Sequence, residues 1–389
     1  MITLALAGKP NCGKSTFFKA ATMANAEIAN YPFTTVNPNF GVAYVRTKCP
    51  CHDLHLTCGH CVDGNRFVAV NLIDVAGLVP DAHKGKGLGN QFLDHLRQAD
   101  AILHIVDASG GTDSEGNPVG AGNHDPAEDV KFLGYEMTMW VYGILDKHWS
   151  RLSRQASVKT YSIHQGISEV FTGLGITPED IRDAEMLLKI DLVHANMEDL
   201  VPFCAEIVKI SKPMIVVGNK VDEAPEALRA KLAEAKVAFA SAASELALRN
   251  AAAAHVITYL PGDPEFRVAE GVTLSAPQKA GLAKIAGVMK ENGGTGVQQA
   301  INRAVFELLD RIVVYPVEDE NHLCNKQGDV LPDAFLMKKG STPHDLAFQV
   351  HTDIGKGFLY AIDARTKMRI KENHVLKDGD IIKIVSAAK

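Results

Sequence analysis

Nothing in the sequence approaches the run of about 20 apolar residues that a membrane-spanning helix needs, so no membrane partner is expected. A basic leader with a small-residue cleavage site is also missing. MITLALAGKP leads directly into a glycine-rich loop, and no signal peptide is expected. Positive charge is not in excess: 40 Lys and Arg stand against 46 Asp and Glu, a net charge of −6 with His neutral. That balance argues against a protein coated with nucleic acid over its whole surface and leaves room for a local basic patch. An even, dispersed set of cysteines is lacking too. Of the 7 cysteines, four crowd into residues 49–61, while Cys12, Cys204 and Cys324 are scattered. This is not the pattern of a disulfide framework, and it points to a reducing cytoplasm. What is present, 46% hydrophobic and 22% charged residues, is the make-up of a soluble globular protein. A chain of 389 residues is too long for one ordinary core, so two or three domains are expected.

The apolar run ITLALA (2–7) reads as a buried strand, and TFFKAAT (16–22) has helical character. Between them stand Gly8, Lys9, Pro10, Asn11, Cys12, Gly13, Lys14 and Ser15, the GxxxxGK[ST] pattern in its strand–loop–helix setting. The glycines let backbone N–H groups turn inward around phosphate oxygens, and the helix N-terminus adds positive potential. Gly8, Pro10, Asn11, Cys12, Gly13, Lys14, Ser15 and Thr16 form the expected phosphate-binding set. Lys14 should reach the β- and γ-phosphates, and the Ser15 hydroxyl should coordinate Mg2+.

A second apolar strand, VAVNLI (68–73), ends at Asp74-Val75-Ala76-Gly77. Asp74 is placed to hold Mg2+ through water, and the Gly77 N–H to meet the γ-phosphate. MIVV (214–217) leads into Asn219-Lys220-Val221-Asp222. The Asp222 carboxylate can accept from both guanine N1–H and the 2-amino group. Adenine has no 2-amino group and presents an N1 lone pair, so it leaves a buried carboxylate unpaired. Lys220 is expected along the base plane. The probable-strand sequence VAFAS (237–241) ends in Ser241, followed by Ala242 and Ala243, with the Ala242 N–H expected at guanine O6. NYPFTTVNPNFG (30–41) supplies Thr34 and Thr35, of which Thr35 is favoured to close on Mg2+ and the γ-phosphate. Ordering this segment with GTP and releasing it with GDP would constitute a switch.

YPFTTVNPNFG, DVAGLVPDAHKGKGLGNQFLDHLRQADAILHIVDAS and NKVD together resemble the Obg-related GTPases, and the YchF-type branch in particular. Bacterial YchF-type proteins have a degenerate base-recognition motif and prefer ATP. The motif here is intact, so GTP is favoured and the chain resembles an archaeal relative with its own insertions. The implied fold is α/β: a P-loop NTPase with a mostly parallel sheet flanked by helices, a helical insertion and a C-terminal β-grasp (TGS) domain.

Many GTPases carry a water-orienting glutamine directly after DxxG. Leu78 stands there and cannot polarise water, so slow intrinsic hydrolysis is expected. In GTPases with a similar PN-x-GKS loop, the asparagine helps hold K+ beside the phosphates, which gives Asn11 that role; the plain alternative is that it only supports the loop. His83, in AHKGKGLG (82–89), is a candidate to approach the attacking water or is a loop residue without a role, and His104 in AILHIVDAS is expected to be structural. The expected catalytic set is Lys14, Thr35, Gly77, Asn11 and His83.

CPCHDLHLTCGHC (49–61) places Cys49, Cys51, Cys58 and Cys61 at knuckle-like spacing, with histidines between them. Four thiolates suit tetrahedral Zn2+. A reduced metal-free loop and a redox or disulfide role remain open alternatives.

The expected division is 1–112 and 206–310 for the GTPase domain, 113–205 for a helical insertion and 311–389 for the C-terminal domain. Residues 127–156 show helical spacing with Phe132, Met139, Tyr142 and Leu145 near one face, and Thr177-Pro178-Glu179-Asp180 looks like a helix start. IVVYPV (312–317), GSTPHDLA (340–347) and KDGDIIKIV (377–385) resemble the TGS domain, a β-grasp module shared with threonyl-tRNA synthetases and stringent-response enzymes. Arg365, Lys367, Arg369 and Lys371 alternate, so an extended strand would set all four on one face, where they could track phosphates or simply charge a sheet edge. The leading expectation is a cytoplasmic GTP-dependent switch acting on the ribosome or structured RNA. The alternatives are a triphosphatase, open to ATP as well as GTP, that regulates a protein partner through the helical insertion without binding RNA, and a zinc-stabilised scaffold with vestigial hydrolysis.

Overall fold

The structure, a computed structural model, describes residues 1–23, 40–78, 80–81, 96–156, 158 and 160–387. Thr34, Thr35 and His83 lie outside the described residues. The chain divides into two compact units, one gathering Met1–Met23 and Asn71–Ala300, the other Ala43–Val70 and Ile301–Lys389.

A seven-stranded sheet has the order β2-β4-β1-β5-β6-β7, with β3 paired to β4. Its strands are β1 (Thr3–Ala7), β2 (Phe40–Lys48), β3 (Cys61–Val62), β4 (Asn65–Asp74), β5 (Ala101–Asp107), β6 (Met214–Asn219) and β7 (Ala238–Phe239). In the first unit β1 runs parallel to β4 and β5, and β5 parallel to β6. A parallel sheet is covered on both faces, which is why β1 and β5 are almost wholly apolar and buried. The register sets Leu6 beside Asp74 and Asp107 beside Asn219. The carboxyl ends of β1, β4, β5 and β6 therefore converge on one edge, the place where open α/β sheets bind ligands. A two-stranded ribbon, β8 (Ile257–Thr258) with β9 (Arg267–Val268), lies apart from this sheet.

Four helices fill the middle of the sequence: Pro126–Ala156, Ile163–Val170, Pro178–Leu188 and Met197–Ser211. Thr177 and Asp180 cap the third reciprocally, as Asn196 and Asp199 cap the fourth. In the first, the buried stripe runs through Leu133, Met137, Val141, Leu145, Trp149 and Leu152. Of the expected face only Leu145 is fully buried, because apolar residues lie on several sides of this helix and its neighbours choose the phase. Ile167, Ile181, Phe203 and Ile207 join this stripe in one core with Ala5, Ile73 and Val75 of the sheet. Each fully buried side chain of this size contributes about 1.5–3 kcal/mol of transfer free energy.

In the second unit, β10 (Arg311–Val317), β11 (Phe335–Lys338), β12 (Phe358–Asp363), β13 (Met368–Ile370) and β14 (Ile381–Ser386) form a mixed sheet in the order β11-β10-β14-β12-β13. Helix Pro343–Val350, capped by Thr342 and Asp345, packs Leu346 into a core with Ile312, Val314 and Ile382. The row of four cations does not form. Residues 364–367 are a turn, Lys367 is left-handed at φ 60°, and the strand covers Met368–Ile370 alone. Arg365 donates to the Gly379 carbonyl, and Arg369 stacks 3.9 Å from the Tyr360 ring centroid. A tight hairpin between β12 and β13 consumes the residues that an uninterrupted strand would have aligned. Among the described residues no helix is long and apolar enough to cross a membrane.

Candidate functional site

The loop of residues 8–15 joins β1 to helix Lys14–Thr22. Gly8 has φ 150° and Gly13 φ 94°. A Cβ on Gly8 would stand 2.2 Å from the Ile105 carbonyl oxygen, and one on Gly13 2.2 Å from Asn219 Nδ2. Both positions require glycine for backbone conformation and for space. Asn11 is left-handed at φ 59°, and its side-chain amide donates to the Gly116 carbonyl at 3.0 Å. The Lys14 ammonium is buried and donates to the Lys9 carbonyl at 2.8 Å. Thr16 is half-buried one residue beyond Ser15.

Lys9 was not in the expected phosphate set. It is 2% exposed, donates to the Thr112 carbonyl at 2.8 Å and pairs with Asp129 at 2.6 Å. Asp129 lies in the first turn of helix Pro126–Ala156 and also meets His124 Nε2 at 3.0 Å. A buried ion pair thus ties the glycine loop to the helical region. The buried Glu136 of the same helix accepts from the Asp81 N–H at 3.0 Å, four residues beyond Gly77.

Ser15 Oγ donates to Asp74 Oδ2 at 2.8 Å. Asp74 Oδ1 is buried without a partner, and burial raises this carboxyl above its ordinary value. A hydroxyl and an orphaned carboxylate oxygen at a helix N-terminus suit a hard divalent cation with oxygen ligands. Gly77 sits against Pro10, where a Cβ would approach the proline nitrogen to 3.0 Å. The Leu78 N–H donates to the Gly8 carbonyl at 3.1 Å, and its side chain is buried in the core that includes Val75, Leu96 and Leu133.

At the other end, Asn219 Nδ2 donates to the Cys12 carbonyl at 3.0 Å while its Oδ1 accepts from the Ala242 N–H at 3.0 Å. That amide, the one expected at a base oxygen, is engaged by Asn219 in this conformation. Lys220 is left-handed at φ 61°, and its ammonium donates to the Asn11 carbonyl and to Asp107 Oδ2, both at 2.8 Å. Burial would raise the Asp107 carboxyl, but the Lys220 ammonium and the Ser109 and Thr112 hydroxyls outweigh it and hold the group below the usual carboxylate range. Asp222 Oδ1 accepts from Ser241 Oγ at 2.7 Å, and its Oδ2 lies 3.4 Å from Lys284 Nζ. Ser241 caps helix Ala242–Ala253, which opens with Ala242 and Ala243.

The glycine loop, Asp74, Gly77 and the 219–222 and 241–243 segments are thus brought to one sheet edge. Lys9, Asp107, Asp129 and Lys284 are additions that the sequence reading missed. Asp107 had a signal, since it ends an apolar strand as Asp74 does. His104 lies within β5, 1% exposed, and is held down to about 3 by burial and by Lys14, which makes it a neutral core residue.

In the second unit, Cys49, Cys51, Cys58 and Cys61 come together with all four Sγ atoms within 4.8 Å of one another. No disulfide joins them. Burial pushes Cys49 up to about 11 and Cys51 and Cys61 up to about 12.

Comparison with known proteins agrees with this geometry. Residues 3–129 match the family model described as 50S ribosome-binding GTPase. Residues 217–319 match the G4 motif-containing domain of the Obg-like GTPase YGR210-like family, and residues 325–386 match the TGS domain. An uncharacterized GTP-binding protein of Methanocaldococcus jannaschii is 48% identical over 100% of both chains. The ribosome-binding ATPase YchF of Bacillus subtilis is 27% identical over 98% of both. The crystal structure of a GTP-binding protein from Pyrococcus horikoshii superposes with a TM-score of 0.79 at 39% identity, covering 99% of this chain and 100% of that one.

Proposed function

We propose that this chain, which belongs to the YchF-like branch of the Obg-related P-loop GTPases, is a guanine-reading switch that acts on the ribosome or structured RNA in the cytoplasm. The observation that carries the reading is the fastening of the base-reading segment to the phosphate loop. Asn219 and Lys220 hold the Cys12 and Asn11 carbonyls, so the two ends of a nucleotide would meet one rigid frame. Asp222 would face the base with its carboxylate, and Gly8 and Pro10 to Thr16 would wrap the phosphates. Ser15 and Asp74 would hold Mg2+, which when bound would supply charge stabilisation at the β- and γ-phosphates. Thr35, or Thr34 in its place, would meet the γ-phosphate together with Gly77; both threonines lie outside the described residues.

Hydrolysis in this reading is slow, because Leu78 is buried and offers nothing to water. Asn11 would support K+ next to the phosphates, and His83, outside the described residues, is the candidate to approach the water. Hydrolysis that proceeds equally fast in Na+ and K+ would remove the potassium role. The division into 1–112 with 206–310, 113–205, and 311–389 belongs to the same reading. The ribosome is favoured by the match to the 50S ribosome-binding GTPase family, by the likeness to the ribosome-binding ATPase of B. subtilis, and by the TGS match. The B. subtilis relative is named an ATPase, whereas the intact Asn219-Lys220-Val221-Asp222 favours GTP here.

The test is cosedimentation of the full chain with ribosomes in GTP, GDP and no nucleotide. Binding that depends on GTP and weakens with salt supports the switch, and identical binding in all three states contradicts it. A second reading, a triphosphatase that regulates a protein through its helical region, is favoured by Met186, Leu187 and Met197, which are 70%, 62% and 45% exposed. In that case Met186→Ser with Leu187→Ser abolishes partner binding, and the full chain does not cosediment with ribosomes in any nucleotide state.

A further inference from the structure

The nucleotide chemistry proposed above draws on no thiolate, so the cysteine cluster stands apart from it. The Sγ atoms of Cys49 and Cys58 are 3.8 Å apart and those of Cys51 and Cys61 3.5 Å. A disulfide requires about 2.05 Å, far shorter than either. A tetrahedron of Zn–S bonds of about 2.3 Å has edges of about 3.8 Å, close to both. The local backbone is shaped for such a knuckle. Cys49 donates its N–H to the Gly64 carbonyl at 2.8 Å, Leu56 to the Cys51 carbonyl at 2.8 Å, and the His60 N–H points to Cys58 Sγ at 3.4 Å. Cys49, Cys51 and Cys58 are buried and Cys61 is half-buried, so three of the four donors are shielded from water.

The β3–β4 hairpin that follows carries Arg66, which is 5% exposed. Its guanidinium donates to the Pro332 carbonyl at 2.7 Å and lies 6.0 Å from the ring centroid of the fully buried Tyr315. Two segments 266 residues apart in sequence meet at this arginine.

We propose that Cys49, Cys51, Cys58 and Cys61 bind one structural Zn2+, and that this ion clips the 49–61 knuckle so that Arg66 holds the C-terminal β-module at Tyr315 and Pro332. Soft thiolates in a closed tetrahedral set select zinc or iron, and a site without an open coordination position serves structure. Because binding deprotonates the thiols and orders the loop together, metal and local folding are one equilibrium.

The test uses the full chain purified reduced without added metal. Elemental analysis should find one zinc per chain, lost in Cys58→Ser with Cys61→Ser. Hydrogen exchange before and after chelator treatment supplies a readout that needs no variant. Residues 311–317 and 329–333 should exchange at least tenfold faster without zinc, with loop 8–15 and GTP binding unchanged. A native chain with no zinc, or with iron and its visible absorption, overturns the zinc assignment. Zinc whose removal leaves exchange at 311–333 unaltered overturns the clip.

Discussion

Lys9 Nζ lies 2.6 Å from Asp129 Oδ2, with both side chains under a tenth exposed. This pair joins the phosphate loop to the first turn of a helix more than a hundred residues further along. Breaking a buried pair from one side leaves an unpaired charge and costs about 3–5 kcal/mol. Lys9→Met should therefore lower stability in urea by that amount and weaken nucleotide binding, because the glycine loop loses its fastening to the Thr112 carbonyl and to Asp129. Lys9→Met combined with Asp129→Leu should recover much of the stability. Equal losses in the single and double variants would show that the pair is not the anchor.

His104 gives the stability a pH dependence of defined sign. Its value falls from an ordinary 6.5 to about 3 in the folded chain, through burial and then Lys14. Between those values the unfolded chain takes up a proton that the native chain refuses. Stability is therefore complete above about pH 6.5 and is lost as the pH falls, at up to about 1.4 kcal/mol per pH unit from this residue. Nδ1 has no partner, so His104→Leu should fold and show a shallower loss between pH 6 and pH 4. Parallel urea midpoints for the two proteins over that range would refute this.

Leu78→Gln restores the residue that many GTPases use to orient water, yet it should not raise the hydrolysis rate. The side chain is 4% exposed among Val75, Leu96 and Leu133. A buried amide without partners costs about 1–3 kcal/mol. Thermal unfolding should show a less stable protein, and single-turnover hydrolysis no gain. A clear acceleration would place this side chain at the γ-phosphate.

Lys284 lies 3.4 Å from the carboxylate assigned to the base. Guanine and Lys284 then compete for Asp222 Oδ2. An ion pair whose lysine is 61% exposed contributes at most about 1 kcal/mol. Lys284→Ala should tighten GTP binding by up to about fivefold and leave ATP unchanged, measured by titration calorimetry. Weaker GTP binding would instead make Lys284 a direct ligand.

The local motifs were legible because strand, loop and helix follow one another in sequence. Gly8 to Ser15, Asp74 and Asn219 to Asp222 all sit at the ends of apolar runs, and the sheet brings those ends together. Long-range partners carried no such mark. Lys9 reads as a variable loop residue until Asp129 is folded against it, and nothing near Lys284 points to Asp222. Apolar residues surround helix Pro126–Ala156, so its period could not choose between Phe132 and Leu133 for the core. Alternation at 365–371 suggested a strand, but Lys367 adopts a left-handed turn there. The clustering of the four cysteines was legible in their spacing; the meeting of Arg66 with Pro332 was not.

The most direct test of the central claim is the affinity of the full chain for GTP and ATP with Mg2+, measured side by side for the native protein and Asp222→Ala. Two charge-assisted hydrogen bonds to the base are worth about 1.5–3 kcal/mol each. GTP should bind at least about a hundredfold more tightly than ATP, a preference that Asp222→Ala erases. Equal or tighter binding of ATP by the native chain would contradict a guanine-reading switch.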